Sequence, residues 1–88
     1  LGNLEMPDPD RVKAQLVAAF PGAEVEIVDL TGTQDHFQAR VVASQFLGKS
    51  RVDQHKMVYA ALGEWMNGAI HALALTTSTP NNSSERQP

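Results

Sequence analysis

Pro21-Gly22 separates two apolar periodicities that no single element can satisfy. Before it, Val12, Leu16, Ala19 and Phe20 recur at the spacing of one helix face. After it, Glu24-Val25-Glu26-Ile27 alternates with the period of a half-buried strand. Proline has no N–H with which to continue a helix, and glycine takes the backbone angles of a tight turn. A helix that gives way to a strand at one turn points to mixed α and β structure. Asp8 is a suitable N-cap and Pro9 suits the first helical position, so the spacing predicts a helix over 9–20.

The pattern continues with a strand over 24–30. Val28 and Leu30 fall on the face opposite Val25 and Ile27, which allows a bulge or burial on both sides. A turn at 31–35 leads into a second strand over 36–43, with Phe37, Ala39 and Val41 inward and Gln38 and Arg40 outward. Residues 44–50 form a connector anchored by Phe46, with Gly48 permitting a turn and room for a short helical turn. Ser50 caps a long helix over 51–66, whose stripe is His55, Val58, Leu62 and Met66, flanked by Tyr59 and Trp65. Asn67-Gly68 ends it, and a third strand runs over 69–77. The order is α-β-β-α-β. This is an α+β domain over 8–78, with a three-stranded sheet and helices on one face. Residues 1–7 and 79–88 are expected to be flexible tails, the latter polar from Pro80 onward.

Eighty-eight residues make one domain, without room for separate cofactor and substrate domains. The net charge of −3 disfavours generic phosphate binding by bulk charge. The absence of cysteine excludes disulfides, a thiol nucleophile and any cluster ligated by this chain's own thiolates. There is no apolar run long enough for a membrane span. Leu1 to Glu5 lacks the basic region and apolar core of a secretory signal, so the default expectation is a cytoplasmic protein.

The histidines, His36, His55 and His71, are too far apart in the chain for any local metal motif. His36 opens the second strand, where it is either a surface ring or a metal or partner contact. His55 sits on the long helix's apolar stripe and reads as a packed ring bonded to a backbone carbonyl. His71 opens the third strand and reads equally as a core or edge residue and as a ligand. The carboxylates Glu24, Glu26, Asp29, Asp35, Asp53 and Glu64 are dispersed, and no acid–base pair is evident. Gly48-Lys49-Ser50 lacks the earlier glycine of a phosphate loop, and no serine sits in a nucleophile elbow. An enzyme is the poorer reading. Arg40, Lys49, Arg51 and Lys56 are the one basic concentration, either a solubilising surface or an anion contact near a helix N-terminus.

Several segments, taken in order, resemble the BolA-like family. They are Asp35-His36-Phe37, the run from Val41 to Val52 that contains Phe46-Leu47-Gly48-Lys49-Ser50-Arg51, Gln54-His55-Lys56-Met57-Val58-Tyr59, Ile70-His71-Ala72-Leu73-Ala74-Leu75 and Thr79-Pro80. The likeness spans about Arg11 to Pro80 and implies a class II KH-like fold.

The resemblance also implies a role. Members of this family pair with CGFS monothiol glutaredoxins, share a bridging 2Fe–2S cluster, and act in cluster trafficking and in iron or redox regulation. His71 matches the family's C-terminal ligand histidine. The family's second ligand comes from the hairpin loop, where Thr33 or Gln34 stands here, so neighbouring His36 is the candidate. His55 matches a histidine of the long helix and reads as structural or interface-forming. A chain without cysteine would offer imidazole nitrogen while the glutaredoxin and glutathione offer thiolate; such mixed ligation raises the reduction potential. The cluster is expected only in that complex. Some members are described as transcriptional regulators. Nucleic-acid binding through Arg40, Lys49, Arg51 and Lys56 is therefore the alternative, although the GXXG loop of KH recognition is missing. Both activities sharing one surface is a third possibility.

Overall fold

The computed structural model describes residues 7–32, 36–68, 70 and 72–80. Helix α1 spans Pro9–Ala19, strand β1 Glu24–Asp29, strand β2 His36–Val42, helix α2 Arg51–Leu62 and strand β3 Ala72–Ser78. Two 3-10 turns, Ser44–Phe46 and Gly63–Asn67, flank α2. The expected order is borne out. The ends of α1, β1 and β2 agree with the expected ones to within a residue.

Both helix starts follow from their caps. The Asp8 carboxylate accepts the Arg11 N–H at 2.9 Å, and the Ser50 hydroxyl accepts the Asp53 N–H at 3.1 Å. Each satisfies a donor that the first helical turn leaves unpaired. The far end of α2 differs from expectation. The α-helix stops at Leu62 rather than at residue 66, because Gly63 takes φ +59° and ψ −126°, angles that α-helical geometry does not admit. Trp65 and Met66 instead ride on the following 3-10 turn, where both pack against the core half-buried. β3 accordingly begins at Ala72 rather than 69. Ile70 is buried ahead of it, held by its N–H donating to the Trp65 carbonyl at 2.8 Å.

The sheet order is β1-β2-β3, with β2 central, antiparallel to β1 and parallel to β3. A parallel neighbour cannot be reached by a tight turn, so the chain crosses back through α2. The β1–β2 register runs unbroken from Glu24↔Val42 to Asp29↔Phe37, without a bulge. Val28 and Leu30 are about half exposed on the outer face, so two-sided burial does not occur there either.

One face of the sheet carries the core. Val25, Phe37 and Val41 meet Val12, Leu16 and Phe20 from the α1 segment, Val58 and Leu62 from α2, and Phe46 from the connector. The Phe20 and Phe46 rings sit 5.2 Å apart, tilted by 59°, a favourable aromatic arrangement. Glu24, Glu26, Gln38, Arg40, Ala72, Ala74 and Thr76 are exposed on the other face. Pro7, expected in a flexible tail, is fully buried and belongs to the packed body. Thr79, expected in the trailing tail, is half-buried. No helix among the described residues is long and apolar enough to cross a membrane.

Candidate functional site

The two ends of the central strand present different chemistry. At the beginning of β2, His36 is half-buried, and its carbonyl accepts the Leu30 N–H at 2.8 Å, closing the hairpin. The parallel register sets His36 opposite Ala72, the first residue of β3. His71, the residue before Ala72 in the chain, lies outside the described residues, as do Thr33, Gln34 and Asp35 of the hairpin loop. Among the described residues no group of three or more His, Cys, Asp or Glu side chains is placed to hold a metal ion.

The opposite end carries a cleft of ≈ 340 Å³ between the connector and the end of β3. Lys49 and Arg51 line it together with Gly48, Gln54 and the Thr77-Ser78-Thr79 segment. Gly48 turns the connector at φ +78°, a left-handed angle that suits glycine. Gln54 fixes the wall of the cleft. Its amide donates to the Lys49 carbonyl at 2.9 Å and, more distantly, to the Phe46 carbonyl at 3.5 Å. Its carbonyl oxygen accepts the Thr77 hydroxyl at 2.6 Å. Sequence reasoning missed Gln54 and Thr77, because their pairing exists only once the crossover has brought β3 under α2.

The remaining candidates fall elsewhere. Arg40 is on the outer face of the sheet, 3.7 Å from Glu26, its partner in the β1–β2 register. It therefore stands across the sheet from α2 and apart from Lys49 and Arg51. Lys56 is exposed on α2 and is not among the residues lining the cleft. The His55 ring meets Tyr59 edge-on at 6.4 Å, where a bond to a backbone carbonyl was expected. This is the i, i+4 contact that a helix offers to neighbouring rings. The histidine end and the cleft are separated by the length of β3, about 20 Å at ~3.3 Å per residue. That distance opposes the idea that one small surface serves both.

The donor chemistry fits one half of a mixed-ligand cluster. Imidazole nitrogen is a known ligand of such iron, and a chain without cysteine leaves the thiolate half to another molecule.

The α-β-β-α-β order, the mixed sheet and the two helices on one face define a small KH-like α+β domain. Comparison narrows the class. The sequence model of the BolA-like protein family matches residues 17–82. The chain is 39% identical over 62 residues to the uncharacterized protein RP812 of Rickettsia prowazekii, spanning 70% of this chain and 80% of that one. It is 34% identical over 77 residues to the DNA-binding transcriptional regulator BolA of Escherichia coli, spanning 80% of this chain and 73% of that one. The solved BolA domain of SufE1 from Arabidopsis thaliana superposes with a TM-score of 0.77 at 28% identity, covering 84% of this chain and 93% of that one. The chain belongs to the BolA-like family.

Proposed function

We propose that this chain is a non-enzymatic partner of a CGFS monothiol glutaredoxin. The two would share a bridging 2Fe–2S cluster through histidine, in cluster trafficking or in iron and redox regulation, with the cytoplasm as the setting. What supports this reading is membership of the BolA-like family, and the parallel β2–β3 register brings His36 and Ala72, the residue joined to His71 by one peptide bond, to the same end of the sheet. His36 and His71 are the nitrogen donors in this reading, and glutathione with the glutaredoxin cysteine supplies sulfur. When bound, a cluster with such mixed ligands offers electron transfer at a higher potential than an all-thiolate one. The chain's own part is to hold imidazole at the sheet end and to bind the partner.

The test is anaerobic assembly of the chain with a CGFS glutaredoxin, glutathione, iron and sulfide, followed by visible circular dichroism and native mass. The expected outcome is a heterodimer with a spectrum unlike that of the glutaredoxin homodimer. His71→Ala should abolish that spectrum, and His36→Ala should alter it. A spectrum and complex unchanged by His71→Ala would refute the ligand assignment. No heterodimer at all would remove the reading.

A second reading, nucleic-acid binding, is favoured by one observation. Lys49 and Arg51 share an open cleft with two threonines and a serine at the N-terminal end of α2, and the Escherichia coli relative is named a DNA-binding regulator. Positive side chains beside a helix N-terminus attract phosphate.

A further inference from the structure

The two outer edges of the sheet differ in chemistry. β1 carries Glu24, Glu26 and Asp29. β3 reads Ala72-Leu73-Ala74-Leu75-Thr76-Thr77-Ser78, without a charge, a proline or a glycine. Natural edge strands are usually protected from strand addition by charge, proline, bulges or a covering element. β1 carries such charges, and among the described residues β3 has neither a charge nor a proline, a bulge or a covering element at its outer edge. Among the described residues, the ladder that β3 makes is the parallel one with β2.

The burial of β3 is also incomplete. Leu73 and Leu75 pack against the core yet stay half-buried, whereas Phe37 and Val41 in the central strand are fully buried. The adjoining flank of α2 is apolar too. Val52, His55 and Tyr59 recur at i, i+3 and i+7, and Val52 is 64% exposed. Val52 and Tyr59 lie on roughly the opposite side of the helix from Ala61, whose carbonyl accepts the Gln15 amide of α1 at 2.9 Å. Since α1 packs on β1 and α2 on β3, that flank lies on the side of the open β3 edge.

We propose that β3 is a self-association edge, through which two copies of this chain pair antiparallel and join their sheets into one. A two-fold axis perpendicular to the sheet keeps both helical layers on the same side. Pairing about Leu75 sets Leu73 beside Thr77, Ala74 beside Thr76 and Ala72 beside Ser78 of the other copy. Every pair is uncharged, and Leu73 and Leu75 gain the cover they lack. Charge selects this edge over the other. Each copy is net acidic at −3, and the same two-fold antiparallel contact made through β1 in the register centred on Glu26 would set Glu26 against Glu26 of the other copy on the outer face. The acidic β1 edges therefore end the assembly at two copies. The interface is a short ladder with modest side-chain burial, smaller than a standard stable interface, so the dimer is reversible. This proposal does not rest on the histidine reading, and its test contains neither iron nor glutaredoxin.

Sedimentation velocity on the full chain, from about 10 µM to about 1 mM, should show a rising dimer fraction. Ala74 and Thr76 are both exposed on the outer face, so charged side chains there spare the core. Ala74→Lys with Thr76→Lys sets like charges opposite each other twice and should raise the dissociation constant about tenfold. Ala74→Lys with Thr76→Glu sets opposite charges there and should retain the dimer. Far-ultraviolet circular dichroism checks that each variant folds. Should the doubly lysine-substituted chain not fold, amide exchange on the unaltered chain decides instead. Protection of alternate β3 amides should increase with concentration, and protection that stays constant overturns the proposal. A chain monomeric to about 1 mM also overturns it, leaving the edge to an extended strand of another protein or to none. So does a doubly lysine-substituted chain that dimerises like the original.

Discussion

Phe46 does more for this fold than any other residue of the connector. Its side chain has no solvent exposure, its ring meets Phe20, and its carbonyl accepts the Lys49 N–H at 3.0 Å. Phe46→Ala removes a large buried ring from the core, where it meets Phe20, and we expect a loss of about 3–5 kcal/mol. Urea denaturation should show a lower midpoint with an unchanged slope. That this residue anchors the connector is legible in the sequence, since it is the one aromatic residue between Ser44 and Ser50. Gln54 is not legible in the same way. It sits in a charged first turn like any surface residue, and only the folded chain shows its amide spanning Lys49 and Thr77. His55 lies between these cases. Its place on the helix stripe is readable, but the choice of Tyr59 over a backbone carbonyl is a matter of local geometry.

At the scale of the element, α2 is defined by how it starts and how it stops. Its start is encoded by Ser50, a short-range signal. Its stop is encoded by Gly63, although the apolar spacing continues to Met66 and suggests a longer helix. Periodicity counts side chains, whereas helix termination depends on backbone angles, and here the two disagree. Nothing lies within 4 Å of the position a Gly63 Cβ would take, so a substitution meets no steric obstacle. Gly63→Ala should therefore cost about 1–3 kcal/mol through backbone strain alone. The check is thermal unfolding, in which a fall in Tm should accompany unchanged helix content at low temperature. A chain as stable as the original would show that the turn can relax into more α-helix. The strands were more readable because alternation fixes which residues face the core, and Phe37, Ala39 and Val41 are buried as that alternation requires.

Over the whole molecule, charge sets what the basic cleft can do. With a net charge of −3, phosphate binding in the cleft would rest on Lys49 and Arg51, because Arg40 stands on the far face beside Glu26 and Lys56 does not line the cleft. Two neutralised phosphates give a slope of about −2 for log affinity against log salt. A salt titration on duplex DNA should show that slope, and Lys49→Ala should reduce it by about one. A protein that stays unbound in low salt would dispose of the second reading. The fold class and the order of elements were legible at this scale, and so was the family. The distance between the histidine end and the cleft was not, since it depends on the direction in which β3 runs beside β2. That same direction orders the events of folding. β1 and β2 meet across a short turn, whereas β2 and β3 meet only after the chain has closed a loop through the whole of α2. Closing the longer loop costs more entropy before any contact repays it. The hairpin therefore assembles early, and the central strand waits with one side bare until the crossover delivers its second neighbour.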